Sequence, residues 1–82
     1  MAKRVNLYVT PNSMDTEEIK GYLASKGIDF DLYDITVDIA AHKRMIEATR
    51  GAGGPPVIEV GHQLVFGLDK ERLDEVIDYE LH

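Results

Sequence analysis

Cysteine is absent from all 82 residues of this chain. That absence removes disulfide bonds, cysteine-ligated metal and every thiol reaction from its chemistry. It suits a reducing compartment and equally a secreted domain without disulfides. Long apolar runs are also missing. No stretch approaches the roughly 18 apolar residues of a membrane span, and the opening Met1-Ala2-Lys3-Arg4-Val5 lacks the apolar segment of a signal peptide. A soluble, cytoplasmic protein is therefore expected. Basic residues are few, 9 Lys and Arg against 15 Asp and Glu, leaving a formal charge of -6. A surface of that sign repels phosphate backbones and anionic lipid, and Lys43-Arg44 is too small to form a basic patch, so neither nucleic acid nor membrane is expected as a partner. Internal repeats, low-complexity tracts and linkers are missing as well, so one domain spanning residues 1–82 is expected, as a monomer. A domain of this size buries only about 60% of the surface its unfolded chain exposes. With no covalent staple, 44% hydrophobic residues must supply the core.

Along the chain the apolar period changes repeatedly, as in a mixed α/β domain. Val5, Leu7 and Val9 alternate with Asn6, Tyr8 and Thr10, a strand closed by Pro11-Asn12. The spacing predicts a helix from Met14 to Lys26 with an inner stripe of Ile19, Tyr22 and Leu23, Ala24 beside them, and Gly27 as its left-handed terminator. Phe30, Leu32, Tyr33 and Ile35 suggest a second strand. A second helix runs from Val37 or Asp38 to Arg50 on Ile39, Met45, Ile46 and Thr49, and Gly51-Ala52-Gly53-Gly54 stops it. Val57-Ile58-Glu59-Val60 reads as a third strand, turned by Gly61-His62 into Leu64-Val65-Phe66 as an antiparallel hairpin. Asp69 caps a last helix facing inward through Leu73, Val76, Ile77 and Leu81. The order is βαβαββα.

With Val5-x-Leu7-Tyr8 leading to Pro11-Asn12-Ser13, then Lys26-Gly27-Ile28-Asp29-Phe30, this order resembles the glutaredoxin branch of thioredoxin-fold proteins over nearly the whole chain. Pro56 falls at the family's cis-proline and Gly67-Leu68-Asp69 at its Gly-x-Asp loop, with no gap between them. The resemblance implies a four-stranded mixed sheet flanked by three helices, with strands one and two parallel and strands three and four antiparallel. It also implies a groove for glutathione or a peptide, in which Gly67, Leu68 and Asp69 receive the γ-glutamyl end of glutathione. Ser13-Met14-Asp15-Thr16 occupies the place of Cys-x-x-Cys, so Ser13 and Thr16 are equivalent to the two redox positions.

Physical chemistry limits what this version of the site can do. A serine hydroxyl forms no disulfide, and a helix dipole does not ionise it at neutral pH, so thiol–disulfide exchange is excluded for the sequence as written. Ser13 is also a natural helix N-cap, with Asp15 and Glu18 as an alternative capping box. Asp15, Glu17 and Glu18 repel an anionic tripeptide. Thr10 stands where the family carries a lysine that contacts the glycine carboxylate of glutathione. Arg50 or Arg44 is a candidate replacement. Pro55, before the cis-proline position, keeps its carbonyl but has no N–H to offer a ligand backbone.

Other chemistries lack their spacing. No Gly-x-Ser-x-Gly elbow accompanies His42 or His62, the three histidines are too dispersed for a metal site, and Gly51–Gly54 lacks the Gly-Lys-Ser/Thr ending of a phosphate loop. No cofactor or metal is expected beyond glutathione as a ligand. Two functions remain. One is a redox-silent glutaredoxin-like module binding glutathione weakly, or a peptide or protein loop. The other is a glutathione-linked oxidoreductase whose cysteine or selenocysteine at position 13 is replaced by serine, in line with a similarity to small bacterial glutaredoxin-like selenoproteins.

Overall fold

The computed structural model describes residues 5–11 and 13–80 and the backbone of residue 81. Asn12, expected to help close the first strand, and the Leu81 side chain, expected on the inner face of the last helix, lie outside the described residues. The elements are β1 (Val5–Val9), α1 (Met14–Ser25), β2 (Phe30–Asp34), α2 (Ile39–Thr49), β3 (Val57–Val60), β4 (Gln63–Phe66) and α3 (Lys70–Leu81). The sheet order is β2-β1-β3-β4. β1 runs parallel to β2, with Val9 beside Asp34, and antiparallel to β3, with Tyr8 opposite Val57. β3 and β4 form the hairpin, with Val57 opposite Phe66. This is the thioredoxin-like architecture.

Strand alternation divides the core into two layers. Val5, Leu7 and Val9 point to the face covered by α1 and α3, where they pack with Ile19, Leu23, Leu73 and Val76. Tyr8 and Val57 point to the other face, under Ala41 and Met45 of α2. Tyr8 is therefore buried although its position in the alternation read as polar. A central strand covered on both sides has no solvent face.

The helices correct three sequence expectations. Ala24 is exposed, because α1 buries Thr16, Ile19 and Leu23 with Tyr22 partly covered, and Ala24 lies about 100° further round. Ile39 and Ile46 are exposed as well. α2 instead buries Ala41, Met45 and Thr49 at strict i, i+4, i+8 spacing, a narrower stripe than its apolar content suggests. α2 also ends on Arg50 in the left-handed region, φ 56°, ahead of Gly51 at φ 73°. Asp38 caps its start, accepting the Ala41 amide at 2.9 Å. Among the described residues no helix is long and apolar enough to cross a membrane.

A polar brace joins α1 to α3. The Tyr22 hydroxyl donates to Asp74 Oδ1, Lys26 Nζ lies 3.1 Å from the same oxygen, and Lys26 and Lys70 both sit over the Tyr22 ring. The Tyr22 hydrogen bond, then Lys26, holds the Asp74 carboxyl below the usual carboxylate range. The same carboxylate raises Tyr22 and Lys26. A carboxylate depressed by folding stabilises above its ordinary pKa, and that contribution is lost as pH falls through the lowered value. Raised Tyr and Lys groups contribute below their ordinary values, and lose the contribution as pH climbs through the raised ones. Asp74→Asn should therefore lower Tm slightly near neutrality, with the deficit shrinking towards zero in acid. Parallel melts of both proteins across pH check this, and a deficit that persists unchanged in acid would contradict it.

Candidate functional site

The carboxyl ends of β1 and β2, the start of β3 and the end of β4 all meet at one end of the sheet, and the expected site residues gather there. The Pro55-Pro56 peptide is cis. Gly67, at φ 67°, donates its amide to the Pro56 carbonyl at 2.9 Å, which ties the Gly-x-Asp loop directly to the proline. Extending the β1–β3 register beyond Tyr8–Val57 sets Thr10 across from Pro55. Leu68 is half-buried against the larger core. Asp69 accepts the Arg72 amide at 3.1 Å and so caps α3, as its position suggested.

Ser13 resolves the capping alternatives. Its backbone is extended, at φ -89° and ψ 127°, and its side chain accepts the Thr16 amide at 3.4 Å. The Ser13 hydroxyl is thus occupied as an N-cap, and Asp15 lies in the first turn with Glu17. Asp15 and Glu18, the alternative pair, are not the cap.

Thr16 is 5% exposed, and its Oγ1 has no hydrogen-bond partner. Burying a hydroxyl unpaired costs about 1–3 kcal/mol, so Thr16→Val, which keeps the shape and removes the hydroxyl, should raise stability by about 1 kcal/mol. Denaturant melts of the two proteins measure this. An equal or lower stability for the valine variant would show that the hydroxyl finds a partner in solution.

The candidate replacements for the missing lysine differ in their surroundings. Arg44 lies 4.8 Å from the Tyr33 ring centre, and Tyr33 stacks on Tyr8 at 5.5 Å. The Tyr8 hydroxyl donates to Glu59 Oε1 at 3.3 Å, as does the Asn6 side-chain Nδ2 at 2.9 Å. Burial, chiefly, pushes the Tyr8 hydroxyl pKa up; Arg44 opposes and Glu59 adds to the rise. Arg44 is therefore engaged with the sheet aromatics under α2. Arg50, at the exposed end of α2, has no such engagement among the described residues. His42 and His62 are exposed, and among the described residues no three His, Cys, Asp or Glu side chains converge as a metal site.

One contributor was missed in the sequence. Phe66, the last residue of β4, lies against Gly53, where an added Cβ would come within 2.7 Å of the ring. The ring seats the glycine-rich segment that leads into Pro55-Pro56. An aromatic one residue before Gly67, with Gly53 and Gly54 directly before the proline pair, was the signal available.

Comparison with known proteins places this geometry. No protein-family model matches the chain. It is 32% identical over 75 residues to the gene 56 protein of Mycobacterium phage L5, a match covering 92% of this chain and 73% of the phage protein. It is 28% identical over 74 residues to an uncharacterized glutaredoxin-like 8.6 kDa protein of the Clostridium pasteurianum rubredoxin operon, covering 90% and 97% of the two chains. Among solved structures, a glutaredoxin from Archaeoglobus fulgidus aligns with a TM-score of 0.70 at 27% identity, over 94% of this chain and 87% of that one. The thioredoxin-like protein BC3987 aligns with a TM-score of 0.77 at 19% identity, over 88% and 97%.

Proposed function

Since the chain belongs to the family of the mycobacteriophage gene 56 protein and is a cysteine-free, glutaredoxin-like protein of the thioredoxin fold, we propose that it is a redox-silent binding module. Its ligand is an extended peptide, or glutathione held weakly. The observation that carries this reading is the Gly67 amide bonded to the Pro56 carbonyl, which keeps the ligand-facing loop assembled although position 13 has no thiol.

Three features set the affinity low for glutathione. Thr10 offers no cation, Pro55 offers only its carbonyl, and Asp15 and Glu17 oppose an anion. What remains is main-chain recognition: the Pro55 carbonyl as acceptor and the amides of Leu68 and Asp69 as donors, near the start of α3, the Gly67 amide being spent on Pro56. Binding in the millimolar range, about -4 kcal/mol, is what so few contacts support.

An amide-resolved NMR titration of the 15N-labelled protein with reduced glutathione tests this. Saturable shifts at Thr16, Val57, Gly67, Leu68 and Asp69 are expected. Shifts scattered over the surface, or none at millimolar ligand, would remove glutathione from the reading.

A further inference from the structure

We infer that the groove continues into an apolar and acidic docking surface, and that its occupant is a basic segment of a partner protein with apolar anchoring side chains. This rests on the binding-module reading and specifies its partner. Met14, Val37 and Ile39 are 83%, 78% and 84% exposed. Among the described residues Tyr79 on α3 is comparably exposed and Leu32, Ile46 and Phe66 are about half covered, but Met14, Val37 and Ile39 share one location. Met14 opens α1 just beyond the end of β1. Val37 and Ile39 flank Asp38 just beyond the end of β2. Val9 and Asp34 pair side by side where those strands end. The Ile35 amide bonds the Val9 carbonyl at 3.0 Å, and the Val37 amide bonds the Asp34 carbonyl at 3.2 Å. Both segments therefore leave the same end of the sheet, the end that carries Ser13 and Pro56.

Charge identifies the occupant. Asp15 and Glu17 occupy the first turn of α1, beside Met14. Asp34 and Asp38 bracket Val37 on the second segment. Among the nearby cations Lys20 pairs with Glu17 at 3.3 Å and Arg44 stacks on Tyr33, which leaves Lys43, one turn along α2 from Ile39, against the three carboxylates of Asp15, Asp34 and Asp38. An apolar surface with that rim attracts lysine or arginine and repels acidic chains. Scattered exposed apolar residues are ordinary; three just beyond the paired ends of β1 and β2, at the end of the sheet that carries Ser13 and Pro56, are a docking feature. Helical periodicity placed Ile39 inside, and its exposure adds the third member.

The experiment titrates the 15N-labelled full chain with two synthetic extended peptides of equal length. One alternates lysine with valine and leucine, and the other replaces each lysine by glutamate. The lysine peptide should shift the Met14, Asp15, Val37 and Ile39 amides along with Val57 and Gly67, with affinity falling as salt rises. The exposed-site variant carrying Met14→Gln, Val37→Thr and Ile39→Gln should keep the wild-type melt and bind about tenfold more weakly. Equal binding of the glutamate peptide, or undiminished binding by the variant, overturns the inference. Shifts confined to Val57, Gly67 and Asp69 overturn it while leaving the groove reading in place; no shift anywhere removes both. Shifts at Met14, Val37 and Ile39 that depend on protein concentration without peptide would make the occupant a second copy of the chain, which also overturns it.

Discussion

Gly61→Ala should destabilise the protein by about 2 kcal/mol, which for a domain of this size lowers Tm by roughly 8–16 °C. Two causes add. Gly61 turns the β3–β4 hairpin at φ 59°, a conformation that an L side chain resists. A Cβ there would also lie 2.8 Å from the Glu80 carboxyl carbon and 2.8 and 3.0 Å from its oxygens. Glu80 is buried, and its Oε1 accepts the His62 amide at 3.1 Å. The alanine must therefore displace the carboxylate that holds the turn. Glu80→Ala in the same chain opens that space, so the additional loss from Gly61→Ala in that background should fall to about 1 kcal/mol, the conformational part alone. Gly21→Ala supplies the contrast, because Gly21 is mid-helix with nothing within 4 Å of an added Cβ; it should stabilise by about 0.5–1 kcal/mol. Thermal denaturation of the four variants decides the matter. Losses of equal size for Gly61→Ala with and without Glu80 would leave the steric half of the argument without support.

Local signals made the fold readable, and non-local geometry hid the rest. The strand at Val5–Val9, the Gly61-His62 turn and the Asp69 cap each depend on a few neighbouring residues, and all three form as read. Helix faces were harder. In α2, Ile39, Met45, Ile46 and Thr49 all fit an apolar stripe, yet the residues it buries are Ala41, Met45 and Thr49. Which stripe is buried depends on how the helix crosses the strands, and periodicity does not contain that angle. Tyr8 shows the same limit on the sheet, since its burial follows from α2 lying over the second face. At the site, Pro56, Gly67 and Asp69 are picked out by the resemblance to glutaredoxins. The Thr16 hydroxyl without a partner and the Phe66 ring on Gly53 are not, because each arises from packing between segments distant in sequence.

The largest functional change should come from Ser13→Cys, which gives the scaffold a thiol where it now has a capping hydroxyl. The wild type should give no turnover in glutathione-dependent reduction of a small mixed disulfide, and the variant a measurable rate. In that reaction the thiolate attacks the glutathione sulfur of the mixed disulfide and expels the other thiol. A second glutathione thiolate then attacks the protein-bound glutathione sulfur, releasing oxidised glutathione and restoring the protein thiolate. Thr16 has no sulfur to resolve the intermediate, so the cycle uses one protein thiol. The rate should nevertheless be low. The amide end of α1 favours a thiolate, as the Thr16 amide already does for the Ser13 oxygen at 3.4 Å. Asp15 and Glu17 in the same turn oppose it. Adding Asp15→Asn and Glu17→Gln to Ser13→Cys should lower the thiol pKa by about one unit and increase the thiolate fraction near neutrality up to tenfold. Absorbance of the thiolate across pH measures the pKa directly, while the turnover assay reads the rate. An unchanged pKa on removing both carboxylates would mean that their field is screened at position 13. The poor fit of this turn to a thiol would then lie in the local geometry of the cap.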